Sequence, residues 1–485
     1  MVFSSLLFLF VFLPIVLIGN YLLKRRLRNY FLLGASLIFF AWGGVSYSLI
    51  LIISLIINYF TGRLINKYTG SNKAKVILTI GIIINLACLG LFKYANFIVE
   101  NINYLLPLFK AKPIKDLGII LPIGISFYTF QAISYIVDVY RKEVKVQKKF
   151  SDLALYISFF PQLIAGPIIR YQNIEKQLKY RKSNWTNIET GIRRFTLGLF
   201  KKVIIANQFG AIADIAFELD ANIMNSTDAW IGIIAYTIQI YFDFSGYSDM
   251  AIGLGRMLGF HFPENFNFPY IAKSIKEFWQ RWHITLSDWF RNYLYFPLGG
   301  NRKGYSRTML NLLIIFFATS IWHGASWNFV IWGMTHGVFM VIERIGFGKV
   351  LEKLWTPIQH LYALLIIIYT RVFFVTTDFS HGLNYLKKLN QFDFGIASPD
   401  LAFKINSPLI IILFIVAVLS STRLPLITLK FIQKGISNTR QYKALNIGLR
   451  SGLYIGELAF VMITIITSTI MLIADSYNPF IYFRF

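Results

Sequence analysis

The chain is 485 residues long, 56% hydrophobic and 17% aromatic, with only 15% charged residues. A soluble globular chain carries less apolar and more charged content, so a water-soluble domain is excluded and the membrane class is indicated. The formal charge of +25 would suit nucleic acid, but the basic residues sit in short loops between apolar runs, where they act as positive-inside signals and meet anionic lipid.

In chain order, residues 6–22 form the first apolar run. No basic segment precedes it and "KRRLR" follows, so it reads as a retained span and not as a cleaved signal. This places the N-terminus outside and "KRRLR" in the cytoplasm. Two further runs, the second at 47–60, lead out and back to the basic loop "NKYTGSNKAK". Residues 76–97 go out, carrying the single cysteine Cys88, which leaves no disulfide framework and no thiolate metal site. "LGIILPIGISFYTFQAISYIVDVY" returns to the cytoplasmic "RKEVKVQKK". The next run, "LALYISFFPQLIAGPIIRY", is broken by Pro161, Gly166 and Pro167 and contains Gln162. It fits either an interrupted segment entering and leaving on one face, or a kinked span.

Residues 195–216 then lead out, and 231–244 return with Asp243 near the end. The cytoplasmic segment 270–304 is rich in aromatic and basic residues. At helical spacing, Trp279, His283, Leu286 and Phe290 share one face, with Arg281 on another, which predicts an amphipathic helix at the membrane interface. A histidine is an odd member of a lipid-facing stripe. "FPLGGNRKG" ends the element, and its Asn301, Arg302 and Lys303 suit either a phosphate-bearing acyl carrier or lipid headgroups.

Residues 311–342 are a mostly uncharged stretch, about 48 Å if fully helical and too long for one straight span. Basic residues flank both ends, so the stretch crosses an even number of times or makes two half-crossings, with its turn near 324–328, directly after His323. A deep imidazole is either a core residue with both nitrogens satisfied or a functional group. Removal from water disfavours the imidazolium and leaves an accepting nitrogen, which suits a base for a hydroxyl. Ser326, Asn328 and Thr335 are candidates to orient the other nitrogen. Residues 361–375 go out, 409–419 return and 454–473 go out again, so by parity the terminal "DSYNPFIYFRF" lies on the outer face.

The pair Trp282–His283 followed by "LSDWFRNYLYFPLGGNRKG", then "WHGASWNFVIWGMTHG" with His323 40 residues beyond His283, resembles the membrane-bound O-acyltransferase family, in its bacterial polysaccharide O-acetylation branch. The likeness extends to "LPIGISFYTFQAISYIVDVYR", "FFPQLIAGPI" and "YFDFSGYSDMAIGLGRMLGF", so it covers nearly the whole chain. It implies one integral membrane domain, 1–485, with a core at roughly 110–375 and an outer-face tail at 474–485. The implied fold is an all-α polytopic membrane protein, a ring of tilted transmembrane helices with re-entrant segments around a thin central tunnel. The implied location is the bacterial cytoplasmic membrane, in contact with its lipids.

The resemblance also implies chemistry. His323 is the expected catalytic histidine and His283 the second histidine of the site. The acyl donor, acetyl-CoA or an acyl carrier thioester, enters from the cytoplasm as a co-substrate, with no bound cofactor and no metal. The acceptor hydroxyl arrives from outside, on a polysaccharide or through a partner acetyltransferase of the SGNH type. Trp282, Asp243, Gln162, Ser326, Asn328, Arg281, Arg302 and Lys303 are candidates for the tunnel or the donor site. Tyr482, in "FIYFRF", resembles a terminal aromatic motif of this branch that carries the acyl group briefly; an interfacial anchor is the alternative. Two other functions fit many spans and a deep histidine: D-alanyl transfer to teichoic acid, within the same family, and a transporter or flippase, which would call for inverted repeats that the sequence does not display.

Overall fold

The structure is a computed structural model and describes residues 1–181, 184–220, 223–438, 442–474 and 477–481. Among these every regular element is helical, as an all-α membrane protein requires. Four helices are long and apolar enough to cross a membrane by length and composition: Val45–Lys67, Asn72–Phe109, Thr356–Val375 and Leu445–Ala474. A bent pair, Pro399–Ile405 with Pro408–Ser420, passes the same test with a 69° angle at its break. Branched and leucine side chains such as Leu49, Ile53, Ile83 and Leu91 stay exposed along the first two. In lipid this is the favourable arrangement, because hydrocarbon and not water meets them.

The first expected span differs from these. Phe8–Leu22 is a shorter apolar helix, with Phe3 and Phe8 fully buried against Phe39, Phe160 and Tyr247. The run at 6–22 thus serves as much for packing as for crossing. Its start also meets the other end of the chain, because Ser4 Oγ donates to Asn478 Oδ1 at 3.2 Å and Asn478 Nδ2 donates to the Ser4 carbonyl at 3.1 Å.

The centre of the molecule is the 32-residue helix Ser226–Met257, which is buried along nearly its whole length. It lies against Trp185–Leu199 and its continuation to Glu218. The approach is close because a Cβ on Gly198 would stand 2.4 Å from the Gly246 carbonyl oxygen. Small residues at such contacts let backbones pack where the lipid itself offers no hydrophobic drive. Asp249 locks the pair, 2.6 Å from Arg194 and 2.7 Å from Lys201.

Two segments take the interrupted form. The run from 153 to 171 is helical over Phe150–Ser158, turns at Phe159, makes one helical turn over Phe160–Leu163 and continues as buried non-helical chain. Its freed amide at Ile168 donates to Thr285 Oγ1 at 2.9 Å, so irregular backbone at this depth is satisfied by protein. The second is the amphipathic helix expected through 279–290, which the structure corrects. Two short helices, Ile275–Arg281 and Ile284–Phe290, are separated by an extended Trp282 and by His283 at φ 46. Their aromatic residues Phe278, Trp279, Trp282, Trp289 and Phe290 are buried and not spread on the interface. The cause is a neighbouring loop: Asn267 N–H donates to the Arg281 carbonyl at 2.9 Å and Ile284 N–H to the Asn265 carbonyl at 3.0 Å. These bonds compensate the helical ones lost at the break.

The stretch 311–342 forms the expected hairpin. Tyr305–His323 and Trp327–Ile342 pack against each other, with the break at Gly324, Ala325 and Ser326.

Candidate active site

His323 is the last residue of its helix and is 2% exposed. The last carbonyls of an α-helix have no intrahelical partner, and here the long helix Asn72–Leu105 supplies them. Tyr94 Oη donates to the Ile321 carbonyl at 2.8 Å, and Lys93 Nζ donates to those of Trp322 at 2.5 Å and His323 at 3.2 Å. The imidazole stands among aromatic rings, with centroids 4.9 Å from Trp332, 5.0 Å from Trp322 and 5.5 Å from Phe374.

His283 is fully buried and held by its ring. Its Nδ1 lies 3.0 Å from Asn265 Oδ1, which also accepts from Thr285 N–H at 3.3 Å and Thr285 Oγ1 at 2.9 Å. A backbone N–H only donates, so that atom of Asn265 is the oxygen, and His283 Nδ1 carries the proton. Nε2 is then the accepting nitrogen. Asn265 Nδ2 completes the set by donating to Ser248 Oγ at 3.1 Å. Trp322 stands between the two histidines, 6.1 Å from the ring of His283 and 5.0 Å from that of His323.

Three cavities surround this pair. A small chamber of about 60 Å³ is lined by His323, Trp322, Lys93, Ser126 and the non-helical stretch 121–124. Gly124 is needed there, at φ 76 with a Cβ position only 2.5 Å from the Leu163 carbonyl oxygen. A second cavity of about 320 Å³ shares Lys93 and Leu121 with the first and adds Gly324, Ser326, Phe374, Thr376, Tyr236 and Ile481. A third cleft of about 270 Å³ has Trp279, Phe316 and Thr319 among its lining, with Lys276, Arg291 and Arg344. Trp279 is 5.8 Å from Trp332, and Trp332 is 4.9 Å from His323, so two indoles separate that cleft from the imidazole.

The structure gathers some of the expected residues and disperses others. Trp282 neighbours the site, its indole 4.4 Å from the guanidinium carbon of Arg371. Ser326 lines the second cavity and caps its helix by accepting from Phe329 N–H. Asn328 donates to the Thr376 carbonyl at 2.7 Å, and Thr335 to the Ile331 carbonyl at 2.8 Å, so both use their hydrogen bonds away from His323. Gln162 is buried and donates to the Tyr156 carbonyl. Arg281 pairs with Glu277 at 2.7 Å. Arg302 and Lys303 are exposed in the turn before the hairpin.

Asp243 holds the C-terminal tail. It pairs with Lys202 at 2.6 Å and accepts from Ile481 N–H at 2.9 Å. Tyr482, the residue after Ile481, lies outside the described residues. No motif points to Lys93 or Arg371; the signal available for each was a lone charge within an apolar run.

Residues 142–376 match the family model of MBOAT, the membrane-bound O-acyltransferase family. The chain is 38% identical over 493 residues to the "Probable alginate O-acetylase AlgI" of Pseudomonas putida, covering 100% of each chain. It is 44% identical over 405 residues to the protein of the same name in Pseudomonas aeruginosa, covering 81% of this chain and 77% of that one. The "Peptidoglycan O-acetyltransferase" of Helicobacter pylori is 38% identical over 376 residues, 71% of this chain and 70% of the relative.

Proposed function

The chain belongs to the membrane-bound O-acyltransferase family, and from that premise we propose that it carries acetyl groups from a cytoplasmic thioester to hydroxyls of an extracytoplasmic polysaccharide. The observation that carries this reading is the place of His323, a deep imidazole lining a chamber with a larger cavity beside it and an aromatic-floored, basic-rimmed cleft two indoles away. The relatives' names, alginate O-acetylase and peptidoglycan O-acetyltransferase, support acetyl as the group and an envelope glycan as its destination.

The cleft suits the donor. Lys276, Arg291 and Arg344 are exposed cations that attract the phosphates of acetyl-CoA or of an acyl carrier, while Trp279 and Phe316 offer apolar surface to the thioester end. At the chamber, the neutral imidazole of His323 takes the proton of the attacking hydroxyl as its oxygen bonds the thioester carbonyl carbon. The carbon–sulfur bond then breaks, and the imidazolium returns the proton to the leaving thiolate. Proton transfer of this kind contributes about 10²–10⁴-fold to a rate. His283, with Nε2 accepting, is the second histidine of the site.

On the outer side, Tyr482 serves as a transient acyl carrier, passing acetyl to the glycan directly or through an SGNH-type partner. Support comes from Ile481, which is buried and lines the cavity shared with Gly324 and Ser326. A phenol is more acidic than a sugar hydroxyl, so onward transfer from it runs downhill. The contact between Ser4 and Asn478 supports both termini on one face, which the basic loops place outside.

His323→Ala abolishes base-released acetate from the envelope polysaccharide of a complemented deletion strain, with the protein present in the membrane at the parental level. Normal acetylation in that strain would end the assignment. Tyr482→Phe lowers it too, and an unchanged value would leave the tail as an anchor.

A further inference from the structure

We propose that the ammonium of Lys93 supplies the positive charge that stabilises the anionic intermediate of acyl transfer. This rests on the role given to His323 above and adds a group that neither motif nor resemblance assigns. Lys93 lies far inside the helix Asn72–Leu105, within an apolar run, where a cation is expensive and needs a use. It lines both the chamber of His323 and the larger cavity beyond it, so it stands where the two meet. Three oxygens fix its position: the carbonyls of Trp322 and His323, and Ser126 Oγ at 3.3 Å. Among the described residues no carboxylate lies within ion-pair distance of it.

Capping a helix end does not require a charge. Next door, the neutral hydroxyl of Tyr94 serves the Ile321 carbonyl at 2.8 Å. What a neutral donor cannot offer is attraction to negative charge that develops only during reaction. When the acceptor oxygen bonds the acyl carbon and its proton passes to His323, the carbonyl electron pair moves onto oxygen. That oxyanion lasts until the carbon–sulfur bond breaks and the thiolate takes the proton from His323. Lys93 neither gives nor receives a proton in this sequence. A fixed positive charge at the chamber lowers the energy of the oxyanion more than that of the neutral thioester.

The test separates charge from capping, using initial rates of radiolabelled acetate incorporation into envelope polysaccharide in complemented deletion cells, per amount of membrane-borne protein. Lys93→Gln keeps hydrogen-bond donors without charge, and the expected loss is about 10²–10³-fold, the range for removing one stabilising donor from an oxyanion site. Lys93→Arg keeps both and retains at least about a tenth of the rate, whereas Tyr94→Phe removes a cap but no charge and stays within about threefold. A Lys93→Gln rate near wild type, an inactive Lys93→Arg, or a Tyr94→Phe loss matching that of Lys93→Gln would each overturn the proposal. His323→Ala is measured alongside. If it is active, or if the wild type incorporates no acetate, the proposed function itself fails; if neither holds and Lys93→Gln is normal, only the role of Lys93 fails.

Discussion

His323 and His283 lie on either side of one indole, yet they are held by opposite means. The first ends a 19-residue helix, and what holds its backbone is that helix, packed against Trp327–Ile342, with its last carbonyls capped by Lys93 and Tyr94 from another helix. The second interrupts a helical stretch in a left-handed conformation, and what fixes it is its own ring, tied to Asn265 within a set of buried polar groups. A left-handed histidine is uncommon and costs backbone energy. The Asn265 network both offsets that cost and selects the tautomer. The backbone of His323 is held by its helix, and the ring of His283 is held by a hydrogen bond. Variants that disturb helix packing should therefore act through His323, and variants that disturb side-chain polarity through His283.

The strongest way to sharpen this contrast is His283→Ala. Loss of an accepting nitrogen beside the reacting group lowers the transfer rate by about 10²–10⁴-fold if it works in proton transfer. The measurement is acetate incorporation per membrane-borne enzyme, and a loss below tenfold would reduce His283 to packing. A smaller effect is expected one bond further out. Asn265→Ala strands Thr285 N–H and His283 Nδ1, at a cost of about 1–3 kcal/mol for each buried group left without a partner. The thermal midpoint in detergent should fall, and the rate should drop about tenfold, equivalent to 1.4 kcal/mol at the barrier. Asn265→Asp keeps an accepting oxygen in place, holds the proton on Nδ1 and should retain more activity than the alanine. Equal rates for the two would show that the tautomer is not controlled through this residue.

How much of this was legible in the sequence depends on how local the cause is. The hairpin and its break after His323 could be read because glycine, a serine cap and flanking charges sit within a few residues of the turn. The broken segment around Pro161 and Pro167 announced itself in the same way. The break at His283 could not be read, because the loop carrying Asn265 and Asn267 imposes it from outside the helix. Periodicity instead favoured one continuous amphipathic helix. Asp243 looked like a site residue from its apolar surroundings, but its amide partner, Ile481, is 238 positions away. Lys93 was legible in principle, as a single charge in an apolar run, but its use emerges only with the cavities.

The smallest and most specific test concerns the hairpin that carries His323. Gly333 faces Ser320 so closely that a Cβ would stand 1.9 Å from Ser320 Oγ and 3.0 Å from its Cβ. Gly333→Ala must push the two helices apart, which costs about 1–3 kcal/mol as an overpacked contact. Ser320 Oγ donates to the Phe316 carbonyl at 2.6 Å, a bond within its own helix that Ser320→Ala removes with little consequence. With both changes the 1.9 Å clash disappears, while the 3.0 Å approach to Ser320 Cβ and a 3.2 Å approach to the Phe316 carbonyl oxygen remain, so the double variant should recover much of the thermal midpoint lost by Gly333→Ala alone. The coupling expected for residues in contact is about 0.5–3 kcal/mol. The same pair should move activity in parallel. A hairpin pushed outward carries the carbonyls of Trp322 and His323 away from Lys93, while the Asn265 network is untouched. Additive effects of the two changes, or a Gly333→Ala enzyme that loses stability without losing rate, would mean that the position of His323 tolerates movement of its helix, and the contrast between the two histidines would collapse.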